Sequence, residues 1–140
     1  MPEALRQRPY SGVTIEILQD ETFDLPHQLM VMNPDGTQDP LDLTQGGAIS
    51  SPRLDFYIRP RFDHSELIKH FSTDLAVGGI ILDDPATGKI AFYREQPLVA
   101  AEIPVSDRRG WDCFLVWTLG ERKIELYRGP FIVHPGRYPA

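Results

Sequence analysis

Cysteine is almost missing from this sequence: Cys113 stands alone in 140 residues, so no intramolecular disulfide can staple the fold. Its place within the apolar run Trp111 to Thr118 reads as that of a small buried hydrophobe. Long apolar runs are lacking as well, and none approaches the roughly 20 residues that a membrane-spanning helix needs. The opening Met-Pro-Glu-Ala-Leu-Arg-Gln-Arg-Pro-Tyr has no apolar h-region, so neither a signal peptide nor a membrane contact is expected. Basic charge is in the minority. With 14 Lys and Arg against 20 Asp and Glu, the net charge of −6 repels phosphate. Arg59/Arg61 and Arg108/Arg109 are the candidates for a basic stripe and both adjoin acidic residues, so no nucleic-acid partner is expected.

The motifs of familiar enzyme classes are absent too. There is no G-x-S-x-G elbow, no phosphate-cradling G-x-x-x-x-G-K-[ST], no G-x-G-x-x-G and no H-E-x-x-H. Glu66 and His70 stand four apart and would share a helix face, with His64 or Asp63 nearby, but two ligands do not make a metal site. Asp83 and Asp84, with Asp74 upstream, lack an ordered calcium-ligand ladder and look like a hairpin turn. The expectation is a protein that is not an enzyme and carries no metal or other cofactor.

What the sequence does have is punctuation. Thirteen Pro and eleven Gly break it about every ten residues, leaving little room for long helices and favouring short strands. Alternation places Val13, Ile15 and Ile17 on one face of a first strand, and Leu29 to Met32 makes a second before the turn Asn33-Pro34-Asp35-Gly36. Leu41 to Thr44 reads as a short extended piece leading to a bend at Gln45-Gly46-Gly47. Arg53 to Arg59 is the clearest amphipathic strand, with Leu54, Phe56 and Ile58 inward and Arg53, Asp55, Tyr57 and Arg59 outward.

Asp63 to Phe71 is predicted as a helix of about two turns, capped by Asp63 or Ser65, with Leu67, Ile68 and Phe71 sharing a face. Val77 to Leu82 and Lys89 to Tyr93 are predicted to pair as a hairpin, and Glu95 to Ile103 to form a brief helical turn. Trp111 to Thr118, Lys123 to Arg128 and Pro130 to His134 supply the last strands. The expected fold is all-β: one domain over residues 1–140, an antiparallel β-sandwich of the immunoglobulin kind with about eight short strands and one or two helical turns. A small barrel is the alternative. Residues 1–9 and 136–140 are expected as loose tails.

Two sets of candidate site residues follow from the alternation. Trp111, Cys113, Leu115 and Trp117 are expected in the core, which turns Phe114 and Val116 to the opposite face and leaves that strand apolar on both sides. Such a face meets a partner or is covered by another element, here Glu95 to Ile103. Tyr57, Tyr93 and Tyr127 are candidate exposed aromatics, of the kind that stack on a partner or a sugar ring.

Several stretches, taken in order, resemble a known family. Leu41-Asp42-Leu43-Thr44 is similar to a "P-[IL]-D-L-T" element, and Phe56-Tyr57-Ile58-Arg59 to an "x-x-I-R" strand. Leu82 to Ile90 is similar to an acidic, Gly-containing hairpin. Glu95-Gln96 with Ala100-Ala101-Glu102-Ile103-Pro104 resembles "E-Q-T-A-A-[IL]-P". Gly110-Trp111, then Leu126-Tyr127-Arg128-Gly129-Pro130-Phe131-Ile132-Val133-His134-Pro135, resemble a closing hairpin.

These belong to small tail or baseplate proteins of phages and prophages related to the N-terminal domain of the lactococcal baseplate upper protein. The sequence departs from that pattern at Phe114, where the family commonly has an acidic residue, and in Asp63 to Phe71 and Gly136 to Ala140. The resemblance implies an immunoglobulin-like sandwich serving as a structural or adaptor component of a virion tail, made in the host bacterial cytoplasm. Its implied partners are itself, as a homo-oligomer, or neighbouring tail proteins. A non-catalytic carbohydrate-binding module used in host-surface recognition is the alternative function.

Overall fold

A computed structural model of the chain describes residues 13–44, 52–106 and 110–136. Among these residues it is mostly β. The strands are β1 (Ile15–Leu18), β2 (Phe23–Gln28), β3 (Met30–Met32), β4 (Gln38–Pro40), β5 (Arg53–Arg59), β6 (Lys69–Ser72), β7 (Ile80–Asp84), β8 (Lys89–Arg94), β9 (Trp111–Leu119) and β10 (Arg122–His134). A single 3-10 turn, Pro85–Thr87, tips the β7–β8 hairpin, and helix α1 (Gln96–Glu102) follows β8.

Five strands form one sheet in the order β1-β10-β9-β5-β6, three form a second in the order β2-β8-β7, and β3 and β4 pair as a small separate hairpin. The pairings are antiparallel except between β1 and β10, which run parallel, so the larger sheet is mixed rather than purely antiparallel as expected. Parallel pairing is open to these two strands because the rest of the domain forms the connection between them.

Alternation decides which side chains meet between the sheets. Leu54, Phe56 and Ile58 of β5, Cys113, Leu115 and Trp117 of β9, and Phe131 of β10 point inward and are fully buried. They face Phe23 of β2 and Ile90 and Phe92 of β8, and aromatic rings join the layers: Phe56 lies 4.5 Å from Phe92, and Phe23 lies 5.8 Å from Phe131. Trp111, expected among the core residues, is only half-buried, and its indole N–H donates to the Pro104 carbonyl. Cys113 is inert packing, its thiol pushed up to about 12 by burial and by the Asp112 carboxylate.

Helix α1 closes one end of the two layers. Val99 and Ile103 are buried there, Glu102 pairs with Arg94 and Lys69, and the Gln19 amide donates to the Ile103 carbonyl. The helix is where the sequence predicts it, but Phe114 is overlaid by other groups.

Four local expectations change. Residues 61–68 form turns rather than a helix: the Asp63 carboxylate accepts from the Ser65 N–H and hydroxyl, a local bond that competes with helical pairing. Lys69–Ser72 is instead a strand on β5, which seats Phe71 in the core parallel to Phe56. The unexpected strand β2 contains Pro26, tolerated because β2 is a sheet edge. Leu41 to Thr44 is no strand, though Leu41 and Leu43 are buried and their N–H groups donate to Leu29 and Pro85. The last two expected strands are one, β10. The expected bend at 45–47, the Arg108/Arg109 cluster, the tail 1–9 and all but Gly136 of the tail 136–140 lie outside the described residues.

Candidate interaction surfaces

The outer face of the five-stranded sheet gathers most of the candidate residues. Strand register sets His70, Tyr57, Phe114 and Arg128 side by side across β6, β5, β9 and β10, all on the side away from the core. Each is a flat group. The His70 ring stacks on Tyr57 at 4.7 Å and 8°, the Arg59 guanidinium lies 5.2 Å from the same Tyr57 ring, and the Arg128 guanidinium lies 5.3 Å from the Phe114 ring. His64 meets Phe114 edge-on at 5.1 Å. Val116 lies two residues along β9 on the same face, between Asp55 and Glu125. Phe114 and Val116 therefore occupy the face that alternation assigns them, both half-buried, with Arg128 and His64 set against the Phe114 ring.

Carboxylates anchor this row. Asp55, only 4% exposed, receives two bonds from Arg53 at 3.0 and 3.2 Å and one from His70 at 2.7 Å. Burial alone would raise its pKa, yet the hydrogen bonds from Arg53, His70 and Ser72 outweigh that and hold the carboxyl below its usual range. His64 binds Asp112 at 2.6 Å, with Arg61 on the same carboxylate, and Arg128 pairs with Glu125. His64 and His70 thus serve different carboxylates and do not converge with Glu66 as a metal-ligand set. Among the described residues no group of three His, Cys, Asp or Glu is placed to hold a metal.

The three tyrosines part company. Tyr57 is flanked by His70 and Arg59 on the larger sheet, whereas Tyr93, 41% exposed, projects from the outer face of the smaller sheet, so the two cannot share one flat platform. Tyr127 is not an exposed aromatic: it is 5% exposed and faces the core. A register shift between Glu125 and Tyr127 explains the correction, because the extra residue, Leu126, reverses the alternation that points Tyr127 outward in the sequence.

Tyr127 instead borders a groove that sequence reasoning misses. Along one flank the edge strands β1 and β2 part, opening about 320 Å³ lined by Ile15, Leu25, Leu29 and Met30, with His27 and Tyr127 as its hydrogen-bonded pair. The His27 Nδ1–H must donate to the Leu25 carbonyl at 3.1 Å, which leaves Nε2 to accept the Tyr127 hydroxyl proton at 3.2 Å. Burial drives His27 down in pKa, against the pull of its bond to Leu25, and lifts the Tyr127 phenol well above its usual range; both are neutral. No local signal could have paired residues 100 positions apart.

A pH dependence follows. The unfolded chain protonates His27 below about pH 6.5, whereas the folded chain resists, so stability is full above that pH and falls as pH drops through the folded value. Urea unfolding from pH 8 to 3 is expected to lose this first acid limb in His27→Gln. The further loss, as Asp55 and Glu102 protonate below about pH 4, should remain. An unchanged slope between pH 7 and 5 would refute the buried neutral imidazole. No helix among the described residues is long and apolar enough to cross a membrane. Compared with known proteins, the sequence matches no family model and no curated protein.

Proposed function

We propose that this chain is a structural or adaptor component of a phage or prophage tail or baseplate, acting through protein–protein contacts rather than catalysis. The observation that carries the proposal is the outer face of the five-stranded sheet, where Tyr57, Phe114 and Val116 lie on adjacent strands among arginines. Aromatic and arginine side chains together are what protein interfaces concentrate. The strand order supports an immunoglobulin-like sandwich of the variable type. With β2, β5, β6, β7, β8, β9 and β10 as strands B, C, C′, D, E, F and G, the two sheets read G-F-C-C′ and B-E-D. The order of motifs along the chain supports the tail assignment, and the partners proposed are further copies or neighbouring tail proteins.

Immunogold electron microscopy of particles from an induced source strain tests the role. Label at the tail or its tip is the expected result; intact label-free particles, with the protein free in the lysate, would overturn it. Phe114→Asp is expected to abolish incorporation while changing stability by no more than about 1 kcal/mol, since the residue is outside the core. Normal incorporation of that variant would mean that the face is not the contact.

A further inference from the structure

The two flanks of the fold are unlike. On one, β6 and β7 are joined by the bridge between Ser72 and Gly79, and the turn over residues 73–79 projects there with Leu75 97% exposed. On the other, β1 and β2 part to open the groove. Because β1 and β6 are the opposite edges of the larger sheet, and β2 and β7 those of the smaller, knob and groove lie on opposite sides of the molecule.

The knob is held firmly. The Asp74 carbonyl accepts from the Val77 and Gly78 N–H groups, its carboxylate from the Ala76 N–H, and its own N–H donates to the Ser72 hydroxyl. A leucine presented on a turn so tied loses little freedom on docking. The groove suits it chemically: Ile15, Leu25, Leu29 and Met30 are apolar, His27 and Tyr127 are neutral and bonded to each other, and no described lining residue is Asp, Glu, Lys or Arg. Its volume of about 320 Å³ has room for a leucine side chain and part of the flanking turn.

We propose that Leu75 of one copy seats in the β1/β2 groove of the next, so that copies of this chain join head to tail. The inference deepens the structural-component reading and rests on it. A contact between two different surfaces is not self-limiting: it continues until the copies close a ring or extend as a filament. One leucine does not hold two free copies together strongly against the freedom they lose, so the contact is weak in solution and gains strength where a closed or particle-bound array aligns many copies.

Sedimentation velocity on the purified chain, from about 10 µM to about 1 mM, covers the range in which so weak a contact fills. The weight-average sedimentation coefficient is expected to rise with concentration for the unaltered chain. Leu75→Asp, which removes the knob, and Thr14→Trp, which fills the groove from an exposed position, should each weaken association at least about tenfold. Gln38→Trp serves in place of Thr14→Trp if circular dichroism shows the latter misfolded. Mixed together, the knobless and groove-filled variants should form one-to-one pairs and nothing larger, since each supplies the half the other lacks. A chain monomeric throughout, or variants that associate normally, would overturn the proposal. So would association lost in Thr14→Trp but kept in Leu75→Asp, because another segment would then occupy the groove. Solution self-association and particle labelling fail separately, so the tail role can stand without this contact.

Discussion

Gly129→Ala is expected to destabilise the folded state strongly. Gly129 lies in β10 where Val13 leads into β1, and a Cβ there would stand 1.6 Å from the Val13 carbonyl oxygen, with that residue's backbone carbon at 2.7 Å. Backbone cannot swing aside as the end of a side chain can, so the first strand would have to leave its place on β10. Overpacking a core typically costs about 1–3 kcal/mol, and here the expected loss is at the top of that range or beyond, ~3 kcal/mol or more. Gly120→Ala makes the comparison. It sits at a positive φ with nothing within 4 Å of the added carbon, so it carries the backbone strain alone, about 1–2 kcal/mol. Urea midpoints of the two variants measure the difference; equal midpoints would show that Val13 does not press on β10 in solution.

Phe56→Ala is expected to lose about 3–5 kcal/mol, as removing a buried phenylalanine commonly does. The ring is fully buried and central: Phe92 of the facing sheet lies 4.5 Å away, with Phe131 at 5.9 Å and Phe71 parallel at 6.2 Å. Against a typical total of about 5–15 kcal/mol, the variant would be partly unfolded at room temperature if the domain lies toward the lower end. Thermal and urea unfolding measure this directly, and Phe56→Leu should retain more than half of the lost stability. A small effect from Phe56→Ala would mean that the two sheets are held together elsewhere.

Much of the fold is legible by alternation because the strands with one face in the core repeat every second residue. Arg53 to Arg59, Lys89 to Tyr93 and Trp111 to Thr118 declare themselves in this way, and the Phe114 and Val116 face comes with them. Features that break the period are not legible. The extra residue at Leu126 reverses Tyr127, and Pro26 disguises an edge strand. At Asp63 a true local capping signal is spent on a turn, while Phe71 is drawn into a strand by its place against Phe56. Of the outer-face row, Tyr57 and Phe114 needed only the face of each strand and then its register, whereas His70 sits on a strand read as helix and Arg128 follows the reversal at Leu126. The groove required β1, β2 and β10 to come together from distant parts of the chain, and Leu75 is a knob only because nothing folds over it. Neither property belongs to a local pattern.

The parallel pairing of β1 with β10 has a consequence for the timing of synthesis. Of the described strands β1 leaves the ribosome first, and its partner leaves last. The β2-β8-β7 sheet can assemble on the nascent chain while β9 and β10 are still being made, leaving its aromatic inner face waiting for the sheet that covers it. Pairings so distant in sequence favour folding in milliseconds to seconds once β10 is available, and expose apolar surface in the interval. A truncation that ends before β10 would therefore be trapped in that waiting state, with the inner face of the smaller sheet exposed.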